Sequence, residues 1–177
     1  MSPATPVFYT GSICGAVRCV KEPVAALQVT FAQRATQLGV GDVPYTDPAT
    51  ICPVCASAPV ASVVRIGPHM AGHRYLHCGT CCTEWQMVRV KCSHCESTKG
   101  VRYQGIEGGK DVVMAETCDE CGTYRKVVNQ EKDPMAEPLA DDLASLMLDL
   151  LMGDTPFKRA SPNPLLYVAV AEEESSA

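Results

Sequence analysis

The chain has 177 residues, of which 46% are hydrophobic and 20% charged, a balance that supports a packed core and excludes wholesale disorder. The net charge of −5 is uneven: residues 134–177 carry eight acidic against two basic side chains, residues 51–133 nine against ten. The central region therefore has no basic excess with which to neutralise phosphates, which argues against a nucleic-acid partner.

Residues 1–21 give little periodic signal and hold Cys14 and Cys19, two cysteines too far apart for a metal-binding turn and read as free thiols. The opening "MSPATPVFYTGSICG" lacks the basic start and long apolar run of a signal peptide. No apolar stretch approaches the ~20 residues that span a bilayer. The expectation is a cytoplasmic protein without membrane insertion. Thiols stay reduced in that compartment, so eleven cysteines point to metal rather than to disulfides.

A helix is predicted over residues 23–38. Pro23 suits a first helical position, Gly39 a stop, and Val24, Leu27, Phe31, Ala35 and Leu38 share one face that should pack on a core. "GVGDVPYTDPAT" reads as a linker rich in turn formers. Residues 1–50 thus form an N-terminal helical segment with its linker. Beyond them, "VASVVRI" and "HRYLH" flank a turn-rich gap, and "VRYQ" and "DVVMAE" flank another. "EWQMVRV" is a strand linking the two halves. After residue 133 an apolar stripe of Leu139, Leu143, Leu146, Met147, Leu150 and Leu151 predicts one helix ending at Gly153. That stripe reads first as core and second as a partner-binding face, with Asp141 and Asp142 on the polar side. An extended "FKRASPNPLL" and an acidic tail complete the segment 134–177.

The chemistry lies in four Cys-x-x-Cys pairs: Cys52/Cys55, Cys78/Cys81, Cys92/Cys95 and Cys118/Cys121. The second two pairs repeat the first two at an offset of forty residues. A Cys-x-x-Cys turn places two thiolates on one tetrahedral centre, and a second turn completes a four-cysteine site. One such pair is shared with redox motifs; a tandem of four is specific. If one unit was duplicated, each frame closes its own site: Cys52, Cys55, Cys78 and Cys81 in the first, Cys92, Cys95, Cys118 and Cys121 in the second. Cross-paired frames break the symmetry of the gaps but remain an alternative. All-thiolate tetrahedra select zinc or iron, and the residues do not separate them.

The fold class expected is therefore α+β: tandem rubredoxin-like or zinc-ribbon modules over 51–90 and 91–133, each a short antiparallel hairpin between two knuckles, with helices at both ends. Cys82 stands where the second frame has Gly122, at a knuckle position that favours positive φ, and is read as a bystander thiol. His69, His73, His77 and His94 are read as structural or surface residues, and Trp85 as packing near the first site. Arg65, Arg74, Arg89, Lys91, Lys99, Arg125 and Lys126 are read mainly as solvated strand residues, with a second role in offsetting thiolate charge. No acid–base set or phosphate-cradling loop emerges, so catalysis is not expected.

The stretches "CPVCASAPVASVVR", "RYLHCGTCCTEWQMVRVKCSHCEST", "AETCDECGTYRKVVNQEKDP" and "EPLADDLASLMLDLLM" closely resemble the formate dehydrogenase accessory proteins of the FdhE type, over about Pro23 to Leu166. The resemblance implies a non-catalytic maturation factor that binds the catalytic subunit of respiratory formate dehydrogenases. It also implies rubredoxin-like iron centres at the eight paired cysteines, with zinc as the alternative. Family members carry a longer helical N-terminal domain, of which only the helix near residues 23–38 is matched, so the N-terminal segment resembles a remnant of it. A rubredoxin-like electron carrier and a zinc-ribbon adaptor are the competing readings, and the sequence leaves homo-oligomerisation open.

Overall fold

The computed structural model describes residues 21–166; Cys14 and Cys19 lie outside them. Helix α1 (Lys21–Ala35) precedes a linker with a 3-10 turn at Val40–Asp42. Strands β1 (Pro59–Val64), β2 (Arg74–Cys78) and β3 (Glu84–Met87) follow, then β4 (Val101–Gln104), β5 (Val113–Cys118) and β6 (Thr123–Asn129). Helices α2 (Pro138–Ala144) and α3 (Leu146–Gly153), strand β7 (Lys158–Arg159) and a 3-10 turn at Pro164–Leu166 close the described chain. This is the mixed α+β architecture expected.

Each thiol frame contributes three antiparallel strands, and the two sets join into one sheet of order β3-β2-β1-β6-β5-β4, with β7 beside the start of β6. The expected strand 84–90 is shorter and lies along β2, with Leu76 opposite Trp85. Strand β6, its repeat partner forty residues on, was not anticipated. The junction is a parallel pairing, with Ser62, Val63 and Val64 of β1 beside Val127, Val128 and Asn129 of β6. Because β1 and β6 run the same way, the turns that precede them lie at the same end of the sheet. Both thiol frames therefore open at that end.

β1 is buried along its whole length, as expected of a strand covered on both faces. Charged side chains are buried at and beside this seam, contrary to the solvated reading of Arg74, Arg125 and Lys126. The Arg74 guanidinium, 1% exposed, grips Glu116 at 2.7 Å through both terminal nitrogens and also donates to Ser62 Oγ at 2.8 Å and the Lys91 carbonyl at 3.0 Å. The Tyr103 hydroxyl donates to the second Glu116 oxygen at 3.0 Å. Arg125 donates to Ser93 Oγ at 2.8 Å, Ser161 Oγ at 2.7 Å and the Pro59 carbonyl. Burial, with Arg74 nearby, lowers its pKa to about 10, so it remains charged at neutral pH.

Lys126 explains why the predicted single helix is broken at Ser145. Its ammonium lies 2.6 Å from Asp149 Oδ2 and donates to the carbonyls of Asp142 and Ser145 at 2.8 and 3.0 Å. The Asp142 and Ser145 carbonyls that a continuous helix would use thus accept from Lys126 instead, while the Ser145 hydroxyl and amide both donate to the Asp141 carbonyl, at 2.6 and 3.0 Å. Asp142, expected on a polar face, is fully buried between Lys126, Arg159 and Asn163 Nδ2 at 2.8 Å. Only Leu148 and Met152 of α3 enter the core, with Ala115 and Tyr124. Leu146, Met147, Leu150 and Leu151 are exposed, which corrects the core reading for those four, while Leu139 and Leu143 on α2 are half-buried. The same holds for α1, which ends at Ala35 rather than at residue 38: Leu27 and Phe31 face solvent, as does Leu38 beyond the helix, while Val24, Gln28, Ala32 and Ala35 are half-buried.

Removing one member of a buried ion pair leaves the other uncompensated and costs about 3–5 kcal/mol. Glu116→Gln is expected to show that loss in urea unfolding of the metal-loaded chain. The double replacement Arg74→Met with Glu116→Leu should recover most of it. A loss below ~1 kcal/mol for Glu116→Gln would mean that the pair does not hold the seam.

Candidate metal centres

Each Cys-x-x-Cys turn is built the same way. The amide four residues after the first cysteine returns to that cysteine's carbonyl: Ala56 to Cys52 at 2.9 Å, Cys82 to Cys78 at 3.1 Å, Glu96 to Cys92 at 3.0 Å, Gly122 to Cys118 at 2.9 Å. All four donors have positive φ, at 59°, 57°, 58° and 64°. Glycine tolerates that conformation and the other three residues do so at a cost. Further amides point at sulfur, including Thr80 to Cys78 Sγ and His94 to Cys92 Sγ, both at 3.4 Å.

The hairpins then bring the turns together in pairs. The sulfurs of Cys52, Cys55, Cys78 and Cys81 lie within 4.8 Å of one another, as do those of Cys92, Cys95, Cys118 and Cys121. In the first cluster Cys52 faces Cys81 and Cys55 faces Cys78, each at 3.4 Å; in the second the matching separations are 3.8 and 3.7 Å. A tetrahedron with metal–sulfur bonds of ~2.3 Å has edges of about 3.8 Å. The thiols are free rather than disulfide-bonded. The two clusters can each hold a metal ion, and their donor chemistry suits a tetrahedral thiolate site.

Charge supplies the second argument. In the first cluster hydrogen bonds with Cys52 and Cys78 hold Cys81 far below the ordinary thiol range, while bonding to Cys52 and Cys81 and burial drive Cys78 far above it. Cys78 pulls Cys52 down, but Cys81 and burial outweigh it and leave Cys52 at about 11. In the second cluster burial dominates, pushing Cys92 up to about 12 and raising Cys95. Burial also acts on Cys121, yet the Thr123 hydroxyl at 3.1 Å, the Thr123 amide and neighbouring thiols lower it. The neighbouring thiols and burial thus push the cysteines of one cluster in opposite directions. Four thiolates need a cation, and binding one releases the retained protons.

The surroundings of the first cluster are specific. Ala35, Val54 and Trp85 pack on it. Trp85 Nε1 donates to the Ala49 carbonyl at 2.8 Å, and the Ala49 amide donates to Glu96 Oε1 at 3.0 Å, tying the linker to both frames. Gln28 Nε2 of α1 donates to the Gly79 carbonyl at 2.8 Å. A Cβ at Gly79 would meet Pro164 Cδ at 2.9 Å, so the last 3-10 turn closes over the same tip.

No histidine belongs to either cluster. His77 Nδ1 pairs with Glu84 at 2.9 Å, and His69, His73 and His94 are exposed. Cys82 is exposed, and burial with nearby acids and Cys81 raises its pKa. None of the seven basic residues singled out has a recorded bond to a cluster sulfur; Arg65 pairs with Glu84 instead. Sequence reasoning passed over Thr83 and Thr123, whose hydroxyls lie 3.1 Å from Cys81 and Cys121. Their identical place in the forty-residue repeat was the available signal. Gln28 and Ala49 carried none.

A three-stranded antiparallel unit around a four-cysteine cluster, present twice in one sheet, defines a tandem zinc-ribbon or rubredoxin-like protein. Residues 51–89 match the family model described as "FdhE, central domain", and residues 90–166 that described as "FdhE, C-terminal domain". The chain belongs to the FdhE family. It is 48% identical over 149 residues to an FdhE homolog of Cronobacter sakazakii, covering 84% of this chain and 48% of the relative. The FdhE homolog of Yersinia pestis is 49% identical over 144 residues, covering 81% and 46%. The crystal structure of the FdhE protein from Pseudomonas aeruginosa superimposes with a TM-score of 0.75 at 43% identity, covering 82% of this chain and 51% of that one. The chain spans about half the length of these relatives.

Replacing Cys82 with glycine should relieve the positive-φ cost at that turn. A gain of about 1 kcal/mol in unfolding free energy, with bound metal unchanged, is expected. Loss of metal on this substitution would instead make Cys82 a ligand.

Proposed function

We propose that the chain is an accessory protein for the maturation of respiratory formate dehydrogenase, acting as a chaperone-like partner of the catalytic subunit on a metal-stabilised scaffold. Membership of the FdhE family supports the client class, and the pair of four-sulfur clusters is the observation that carries the scaffold. In this reading Cys52, Cys55, Cys78 and Cys81 hold one ion, and Cys92, Cys95, Cys118 and Cys121 a second. Each forms a module, over 51–90 and 91–133. A bound ion supplies the positive charge that lets four thiolates coexist, and iron would add a one-electron couple. Four protein ligands leave no open coordination position, so the client is met by other surfaces. Among the described residues no helix is long and apolar enough to cross a membrane.

The surface that best fits a client is α3. Leu146, Met147, Leu150 and Leu151 are 41%, 59%, 69% and 47% exposed, while the opposite face is locked to the sheet through Leu148, Met152 and Asp149. An exposed apolar helix face, fixed in place by its buried side, is a common way to receive a partner. A rubredoxin-like electron carrier shares the same clusters but has no need of such a face.

Two metal ions per chain are expected from elemental analysis of folded protein, each site all-sulfur by X-ray absorption. Cys52→Ser should empty the first site and leave the second partly filled; equal loss from both would count against self-closed frames. Replacing Leu146 and Leu150 with serine should abolish capture of a formate dehydrogenase catalytic subunit while metal content and melting temperature persist. Retained capture would remove α3 from the interface.

A further inference from the structure

We infer that the two centres have different jobs: the second is where metal exchanges, whereas the first is a permanent crosslink. This rests on the reading that both clusters bind metal, and it follows from comparing the frames position by position at their forty-residue offset.

In the first frame the tip of the second knuckle is Gly79-Thr80, with Gly79 buried and Thr80 half-buried. It is covered from both sides, by the Gln28 amide of α1 and by Pro164 of the final 3-10 turn. Cys52, Cys78 and Cys81 are buried, and Ala35 and Trp85 pack over the cluster. Opening this centre requires α1, the linker and the last turn to move together.

In the second frame the equivalent tip is Asp119-Glu120, and both residues are exposed. Asp119 pairs with Arg102, itself largely solvent-exposed, and Glu120 has no ion-pair partner among the described residues. Cys95 is exposed where Cys55 is half-buried, and Cys121 is half-buried where Cys81 is buried. Neither α1 nor the closing 3-10 turn takes part in this knuckle's recorded hydrogen bonds. Glu120, unpaired at this tip among the described residues, favours the approach of a divalent cation and disfavours anionic reagents. Local opening costs least where buried contacts are few; this knuckle is held by the Asp119 amide on the Gly100 carbonyl at 3.0 Å and the Lys158 amide on the Gly122 carbonyl at 2.9 Å, and its tip stays in solvent.

The test uses the whole chain loaded with two equivalents of zinc as probe metal and challenged with excess 1,10-phenanthroline, a neutral chelator. Native mass spectrometry counts the zinc retained. Pulses of iodoacetamide mark released thiolates, each sulfur forming a bond to the reagent's methylene carbon as iodide leaves, and peptide mapping locates them. A one-zinc species should accumulate, the first ion leaving roughly tenfold faster than the second. Among the eight clustered cysteines, alkylation in that species should fall on Cys92, Cys95, Cys118 and Cys121, with Cys14, Cys19 and Cys82 labelled whatever the metal content. Gln28→Ala should speed loss of the second ion severalfold and leave the first unchanged. Release of both ions at one rate, or a one-zinc species alkylated at Cys52, Cys55, Cys78 and Cys81, would overturn the assignment while leaving metal binding intact. Failure to take up two equivalents of zinc would overturn both the metal reading and this inference.

Discussion

The parallel pairing of β1 with β6 is the constraint on which the molecule depends. Three-stranded ribbons of this size bury little by themselves, and a strand edge left open invites wrong pairing. Joining the first strand of one frame to the last strand of the other removes one edge from each and makes a single sheet. It also decides direction. Antiparallel pairing at that seam would have put the two clusters at opposite ends; the parallel register puts them at the same end.

Buried charge reinforces the seam. Arg74 comes from the first frame and Glu116 from the second, and both are withdrawn from water in a bidentate pair. Such a pair adds little net stability over an apolar replacement, but it penalises any register that separates its members. Lys126 acts in the same way on the other side of β6, where Asp142 and Asp149 fasten α2 and α3. Arg74, Arg125 and Lys126 are thus joints between elements, and Arg125 also interacts electrostatically with Cys92.

The thiol clusters impose the complementary requirement. Their sulfurs lie within 4.8 Å of one another with no disulfide among them, so each cluster can hold a cation that lets four thiolates coexist. The two frames share the four turns and the threonine after the second turn of each, but not the surroundings. The first cluster collected α1, Trp85 and the chain's closing turn, while the second kept an acidic tip in solvent. A divided role can arise this way from one ancestral frame, since the ligand set and its cover evolve separately.

The sequence by itself determined the local chemistry. The eight paired cysteines, their partition into two clusters of four and the positive-φ site after each knuckle follow from a short spacing rule, which acts within a turn and needs no knowledge of the rest. Most hairpin strands were legible for the same reason, and β6 would have been, had the forty-residue offset been applied to residues 84–90. The tertiary structure alone decided the rest. Apolar spacing placed Leu146, Leu150, Leu27 and Phe31 on helices, but not which face meets the sheet; on α3 that was settled by Asp149 bonding Lys126. Arg74, Arg125 and Lys126 look like surface residues in any window of sequence, because the partners that permit their burial lie 12 to 66 residues away. Period and spacing report what a residue's neighbours in the chain demand. Burial, direction and cover depend on groups brought from elsewhere, and only the closed sheet assembles them.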